Sequence, residues 1–125
     1  MISIGVESVL TYHSKIIKDT GGSDGLRDMG LVQSALGRAE TSFDGNYLYK
    51  TDIDKIAAIT DSLINNHAFV DGNKRIGVAV MLLLLRLNYI NIKYTQKELI
   101  ELGLNIAQNK LEVKDIAQWI IDHKI

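Results

Sequence analysis

Apolar residues recur along the chain at intervals of three and four, the period of a helix with one buried face. Val6, Val9, Leu10, His13, Ile16 and Ile17 keep that spacing until Gly21-Gly22 break it, which predicts a first helix ending there. A second, shorter helix is expected after Asp28, whose carboxylate can cap exposed N–H groups, with Met29, Val32, Ala35 and Leu36 on one face. Gly37 and Arg38 then dilute the pattern, and between Glu40 and Lys50 the period vanishes. Phe43, Asp44, Gly45, Asn46 and Tyr47 set aromatics about an Asp-Gly pair that favours tight hairpin turns, so a flap is expected there and not a helix.

The period returns at Thr51, which with Asp54 three residues on forms a capping-box-like start. Ile53, Ile56, Ala57, Thr60, Leu63, Ile64 and His67 then share a helical face, which puts His67 at the end of an apolar stripe. Residues 73 to 87 are apolar on nearly every side, the mark of a helix surrounded by others. Thr95-Gln96-Lys97-Glu98 is a capping box opening a fifth helix with Leu99, Ile100, Leu102 and Ile106, weakened locally by Gly103. A sixth carries Val113, Ile116, Ala117, Ile120 and Ile121, with Trp119 off the stripe. The expected architecture is all-α: a compact six-helix bundle with a central buried helix over 73–87 and a short flap loop or hairpin, one domain spanning residues 1–125.

Composition narrows the function. There is no cysteine, which removes disulfides, thiolate metal sites and cysteine nucleophiles and points to a reducing compartment. Fourteen basic side chains against 15 acidic ones leave a net charge of −1, without the broad basic field used to neutralise phosphates, so no direct nucleic-acid binding is expected. The longest apolar run, Ile76 to Leu85, falls far short of the ~20 residues that cross a bilayer, so no membrane association is expected. Met1-Ile2-Ser3-Ile4-Gly5 has neither a basic region nor a cleavage site of a signal peptide, and the cytoplasm is the expected location.

The chemistry is concentrated between the third and fourth helices. His67, Asp71, Gly72, Asn73, Lys74 and Arg75 bring a base, a carboxylate, a glycine, an amide and two cations into one short stretch. Gly72 to Arg75 open the central helix, where unpaired N–H groups and the helix dipole suit an anion, phosphate above all. Lys74 offers a point charge and Arg75 a planar fork of donors to phosphoryl oxygens. Asp71 supplies the hard oxygen that a nucleotide-borne magnesium ion prefers, and histidine as a residue type suits proton transfer near neutral pH, so His67 can take a proton from an attacking hydroxyl. Taken singly, each residue is ordinary core, turn or cap chemistry. Together, the fixed letters His67, Phe69, Asn73, Lys74 and Arg75, at about 5% each and set spacing, recur by chance about once in several million positions.

The stretch His67-Ala68-Phe69-Val70-Asp71-Gly72-Asn73-Lys74-Arg75 resembles the signature of the Fic/Doc superfamily, in the form carried by death-on-curing (Doc) toxins of type II toxin–antitoxin modules. The resemblance extends to Gly25 through Leu31, Ser34 to Leu36, Ser62 to Asn66 and Ile116 to Trp119. It implies that His67 is the catalytic base, that Asp71 holds Mg2+, that Phe69 buries its ring to position the loop, and that Gly72, Asn73 and Arg75 cradle phosphate. Lys74 stands where AMP-transferring Fic enzymes have a second glycine. In Doc-type members this lysine goes with a reversed nucleotide, so that the γ-phosphate of ATP faces the hydroxyl. The implied activity is a protein kinase whose target is a threonine of elongation factor Tu, arresting translation.

The resemblance also gives Phe43 to Tyr47 a role, as a hairpin beside the site that pairs with an extended segment of the target. A surface loop folded back on the bundle is the competing reading. The self-silencing helix motif of many Fic enzymes has its nearest match in Thr20-Gly21-Gly22-Ser23-Asp24-Gly25, with aspartate for glutamate and in a glycine-rich loop, so it is rejected. Restraint is therefore expected from a separate Phd-like antitoxin with an amphipathic tail. The rival functions are a Fic-type adenylyltransferase and a non-catalytic, antitoxin-binding co-repressor module. His13 and His123 read as structural.

Overall fold

A computed structural model describes all 125 residues. Six α-helices follow in chain order: α1 (Val6–Thr20), α2 (Met29–Gly37), α3 (Asp52–Asn65), α4 (Asn73–Leu87), α5 (Gln96–Ala107) and α6 (Val113–His123). A 3-10 turn, Arg38–Glu40, and two short strands, β1 (Ser42–Phe43) and β2 (Asn46–Tyr47), lie between α2 and α3. The expected all-helical bundle with a hairpin is therefore what the chain forms. No helix is long and apolar enough to cross a membrane.

The helix starts follow from side-chain caps. The Asp28 carboxylate accepts the Gly30 N–H at 2.8 Å and Thr51 Oγ1 accepts the Asp54 N–H at 3.1 Å. At α5 the box is complete: Thr95 Oγ1 accepts from Glu98 N–H while Glu98 Oε1 accepts from Thr95 N–H. The Asp44-Gly45 pair takes positive φ at both positions, 54° and 81°, as a tight right-twisted hairpin requires, and Ser42 pairs with Tyr47 and Phe43 with Asn46.

The centre of the bundle is shared. α4 packs on α1, α3 and α5, but α3 is touched by α2, the 3-10 turn, α4, α5 and α6, so the single central helix expected over 73–87 shares that place with α3. The two helices approach closely because Gly77 faces Ile64: a Cβ there would lie well inside contact distance of Ile64 Cγ1. Ile56, Ile59, Leu63, Ile64, Ile76, Met81, Leu84 and Leu85 fill the space around that contact and are essentially inaccessible. The inward face of α5 is Leu99, Leu102, Gly103 and Ile106, and that of α6 is Ile116, Ala117 and Ile120. Ile100 and Ile121, expected on those stripes, instead sit 61% and 50% exposed, each one position beyond its buried face.

A second correction concerns His67. α3 ends at Asn65, and His67 lies outside it with φ +55°, not on its apolar stripe. Asn66 closes the helix, and the next residue turns the chain left-handed, a position that glycine usually fills. Holding a histidine there costs of order 1 kcal/mol, the kind of strain that persists where surrounding structure fixes it.

Candidate active site

The left-handed turn swings His67 out of the bundle and leaves it exposed. Residues 68 to 72 then run as an extended loop into α4, and a strap from the α1–α2 connection holds them. The N–H groups of Arg27 and Asp28 donate to the Ala68 carbonyl at 2.8 and 3.1 Å, the Val70 N–H donates to the Gly25 carbonyl at 3.0 Å, and Leu26 and Phe69 form an antiparallel bridge. Asn73 locks the same loop from the other end: its Nδ2 donates to the Phe69 carbonyl at 3.0 Å and its Oδ1 accepts the Phe69 N–H at 3.2 Å.

Asp71 and Arg75 face the end of α1. Asp71 Oδ1 accepts the N–H of Gly72 at 2.8 Å and Oδ2 accepts that of Ser23 at 3.2 Å. The Ser23 and Gly72 amides, helped by Arg75, lower the Asp71 pKa below the ordinary carboxylate value, so the group is ionised at neutral pH. Arg75 Nη1 donates to Thr20 Oγ1 at 2.6 Å and to the Gly21 carbonyl at 2.7 Å, and its Nη2 lies 3.5 Å from Asp71 Oδ1. Gly22 is required by this arrangement: its φ is +118° and a Cβ would sit 2.5 Å from Asp71 Oδ2.

Gly72 takes φ +81° at the N-terminus of α4, where no side chain caps the helix. The unpaired N–H groups there open on a cavity of about 420 Å³ lined by Ile64, His67, Val70, Asp71 to Arg75 and Ala107. The structure thus brings His67, Asp71, Gly72, Asn73, Lys74 and Arg75 to one cavity. Lys74 is exposed and has no acidic partner. Phe69 lies beneath the loop, 2% exposed. No residue of the hairpin lines the cavity. Phe43 stands 80% exposed, and Tyr47, 54% exposed, lies against α3 with Lys55 Nζ 4.8 Å from the centre of its ring.

Asp71 is the only acidic residue in the cavity lining, and no group of three or more metal-binding side chains occurs in the chain. A cation enclosed by protein ligands does not fit these residues. An ion held mainly by phosphate oxygens and water, which asks the protein for one or two carboxylates, does fit the half-exposed, ionised Asp71.

Several residues that build this site carry no mark in the sequence. Gly21 and Ser23 act through backbone groups, which leave no residue signature, and Thr20 acts through a hydroxyl whose partner, Arg75, is far along the chain. His13 is a second case: its ring stacks on Phe69 with centroids 3.7 Å apart, and its Nε2 is 2.6 Å from the Asp71 carbonyl oxygen.

Residues 3–85, which include this loop and most of the fourth helix, match the Fic/DOC family, and the chain belongs to it. It is of the Doc type. Over 86 residues, 69% of this chain and 64% of the other, it is 39% identical to Toxin Doc of Mycolicibacterium smegmatis, so the match spans just under two thirds of that relative. Over 121 residues, 96% of this chain and 94% of the other, it is 28% identical to Protein kinase doc of Escherichia phage P1.

Proposed function

We propose that this protein is a Doc-type toxin that transfers the γ-phosphate of ATP to a threonine hydroxyl of elongation factor Tu, acts in the cytoplasm to arrest translation, and is restrained by a Phd-like antitoxin. The observation that carries the proposal is the cavity itself, where an exposed histidine faces an uncapped helix N-terminus and an unpaired lysine. The names of the two relatives, a toxin and a protein kinase, support the same reading.

In this reading His67 accepts the proton of the threonine hydroxyl as the oxygen attacks phosphorus; the bond from the γ-phosphorus to the bridging oxygen breaks, and ADP leaves. The free N–H groups of Asn73, Lys74 and Arg75 and the Lys74 ammonium hold the phosphates, while the Asn73 amide and Arg75 Nη1 keep the loop in shape. Asp71 would hold Mg2+, which when bound draws charge from the phosphates. Phe43, Asp44, Gly45, Asn46 and Tyr47 present an exposed strand edge to an extended segment of the target.

Intact-mass analysis of elongation factor Tu after incubation with the protein, ATP and magnesium tests this, with His67→Ala in parallel. A phosphoryl-sized increment with the wild type alone is expected. An adenylyl-sized increment overturns the kinase reading and keeps the site; no increment with either protein overturns the choice of target.

A further inference from the structure

The transfer chemistry above makes no use of His13, yet this residue is 1% exposed and its contacts converge on the active-site loop. Its Nε2 lies 2.6 Å from the carbonyl oxygen of Asp71. A carbonyl only accepts, so Nε2 carries the proton and donates. The ring lies nearly parallel to that of Phe69, at 13° and 3.7 Å, and Nδ1 faces Asp24 Oδ1 at 3.7 Å. A leucine would fill the same volume at less desolvation cost, so the polar contact is what distinguishes the residue.

The bond falls on a peptide that needs fixing. Gly72 follows it with φ +81°, and a glycine at that place admits both orientations of the preceding peptide at little cost. With the Asp71 carbonyl held toward α1, the Gly72 N–H points to Asp71 Oδ1 at 2.8 Å, and the Gly72 carbonyl accepts the Ile76 N–H at 2.9 Å to start α4. A turned peptide would displace the Asp71 carboxylate and the first N–H groups of α4 together. Gly72 also leaves room for the contact, since a Cβ would come within 3.3 Å of His13 Nε2 and 3.0 Å of Ile17 Cδ1.

We propose that His13 is a positioning residue for the transfer reaction: by donating to the Asp71 carbonyl while stacked on Phe69, it fixes the Asp71–Gly72 peptide and with it the phosphate-facing start of α4. The consequence for rate rests on the kinase reading; the brace is a property of the fold and can be measured without it.

Two variants separate the contacts. His13→Phe keeps a ring against Phe69 and removes the donor, and His13→Gln keeps a donor of similar reach and removes the ring. Expected is a fall in kcat of roughly 10- to 100-fold for His13→Phe, with KM for the protein substrate unchanged, and recovery of most of that loss in His13→Gln. Amide exchange at Gly72 should quicken in His13→Phe alone, with protection in α3 and α6 retained. Full kcat in His13→Phe, equal loss in both variants, or unchanged exchange at Gly72 overturns the proposal. If the wild type transfers nothing to elongation factor Tu, the choice of target falls and the exchange comparison still decides the brace. Should His13→Phe fail to fold, NMR of the wild type decides: a slowly exchanging His13 Nε2 proton coupled to the Asp71 carbonyl carbon is expected, and its absence overturns the assignment.

Discussion

His67 and His123 both stand where a helix ends, and they are held in opposite ways. His123 closes α6 with its ring stacked on Trp119 at 3.9 Å, its Nδ1 donating to the Trp119 carbonyl at 2.7 Å and its Nε2 2.6 Å from Glu98 Oε2. His67 lies beyond α3 in a left-handed turn, exposed, with neither ring nitrogen bonded to protein. Burial opposes the charge on His123, but Glu98 and the Trp119 carbonyl outweigh it and the pKa is raised; the same contact, with the Thr95 N–H, lowers that of Glu98 to about 2. One histidine is spent on joining α5 to α6. The other is placed by the left-handed turn after α3 and the strapped loop that follows it, and leaves both ring nitrogens open. What separates the two histidines is the partners left open, which suits His67 to the catalytic role proposed for it.

The sharpest way to break this contrast is to remove each ring. If the proposed transfer holds, His67→Ala should lower its initial rate about 10²- to 10⁴-fold and leave the Tm within a degree or two of wild type; a large loss of Tm would make the two histidines alike. Lys74→Ala should cost about 10- to 100-fold in kcat/KM for ATP, again without a change in Tm, because the side chain is exposed and unpaired. Stability responds instead at the packed contacts. Gly77→Ala gains about 1 kcal/mol of helix propensity and loses about 1–3 kcal/mol to overpacking against Ile64, so calorimetry should show a net loss of up to about 2 kcal/mol. Thr95→Ala opens the capping box at the Glu98 end and should cost about 1 kcal/mol in urea unfolding, with activity retained.

The smallest effect is in pH. Glu98, lowered from 4.5 to about 2, contributes stability above its unfolded value and loses it as the pH falls toward 2. His123, raised above 6.5, contributes fully below that value and loses its part as the pH climbs through the raised one. The pair is therefore strongest between about pH 4.5 and 6.5, and the Tm gap between wild type and Glu98→Gln should be widest in that window and shrink on either side. A gap independent of pH would sink the assignment.

The starts of three of the six helices were legible because they depend on single side chains with local partners: Asp28, Thr51 and Thr95 act within three residues of themselves. The hairpin turn was legible for the same reason, through Asp44-Gly45. The end of α3 was not, because a histidine in the left-handed region has no compositional mark of the kind a glycine leaves. Nor was the outward placement of Ile100 and Ile121, since a helical period locates a face but not its edge. The candidate site was readable as a cluster because its charged residues are contiguous; what holds them, from His13 to Ser23, acts across space and largely through peptide groups.

The strap joining Gly25–Asp28 to Ala68–Val70 bears on the order of events in folding. Its partners are roughly forty residues apart, whereas every helix closes its own bonds over four. Helices can nucleate on sub-microsecond scales while that loop is still open. On dilution from denaturant the helical signal should therefore return before transferase activity does, and a chain halted between the two stages would be helical and harmless.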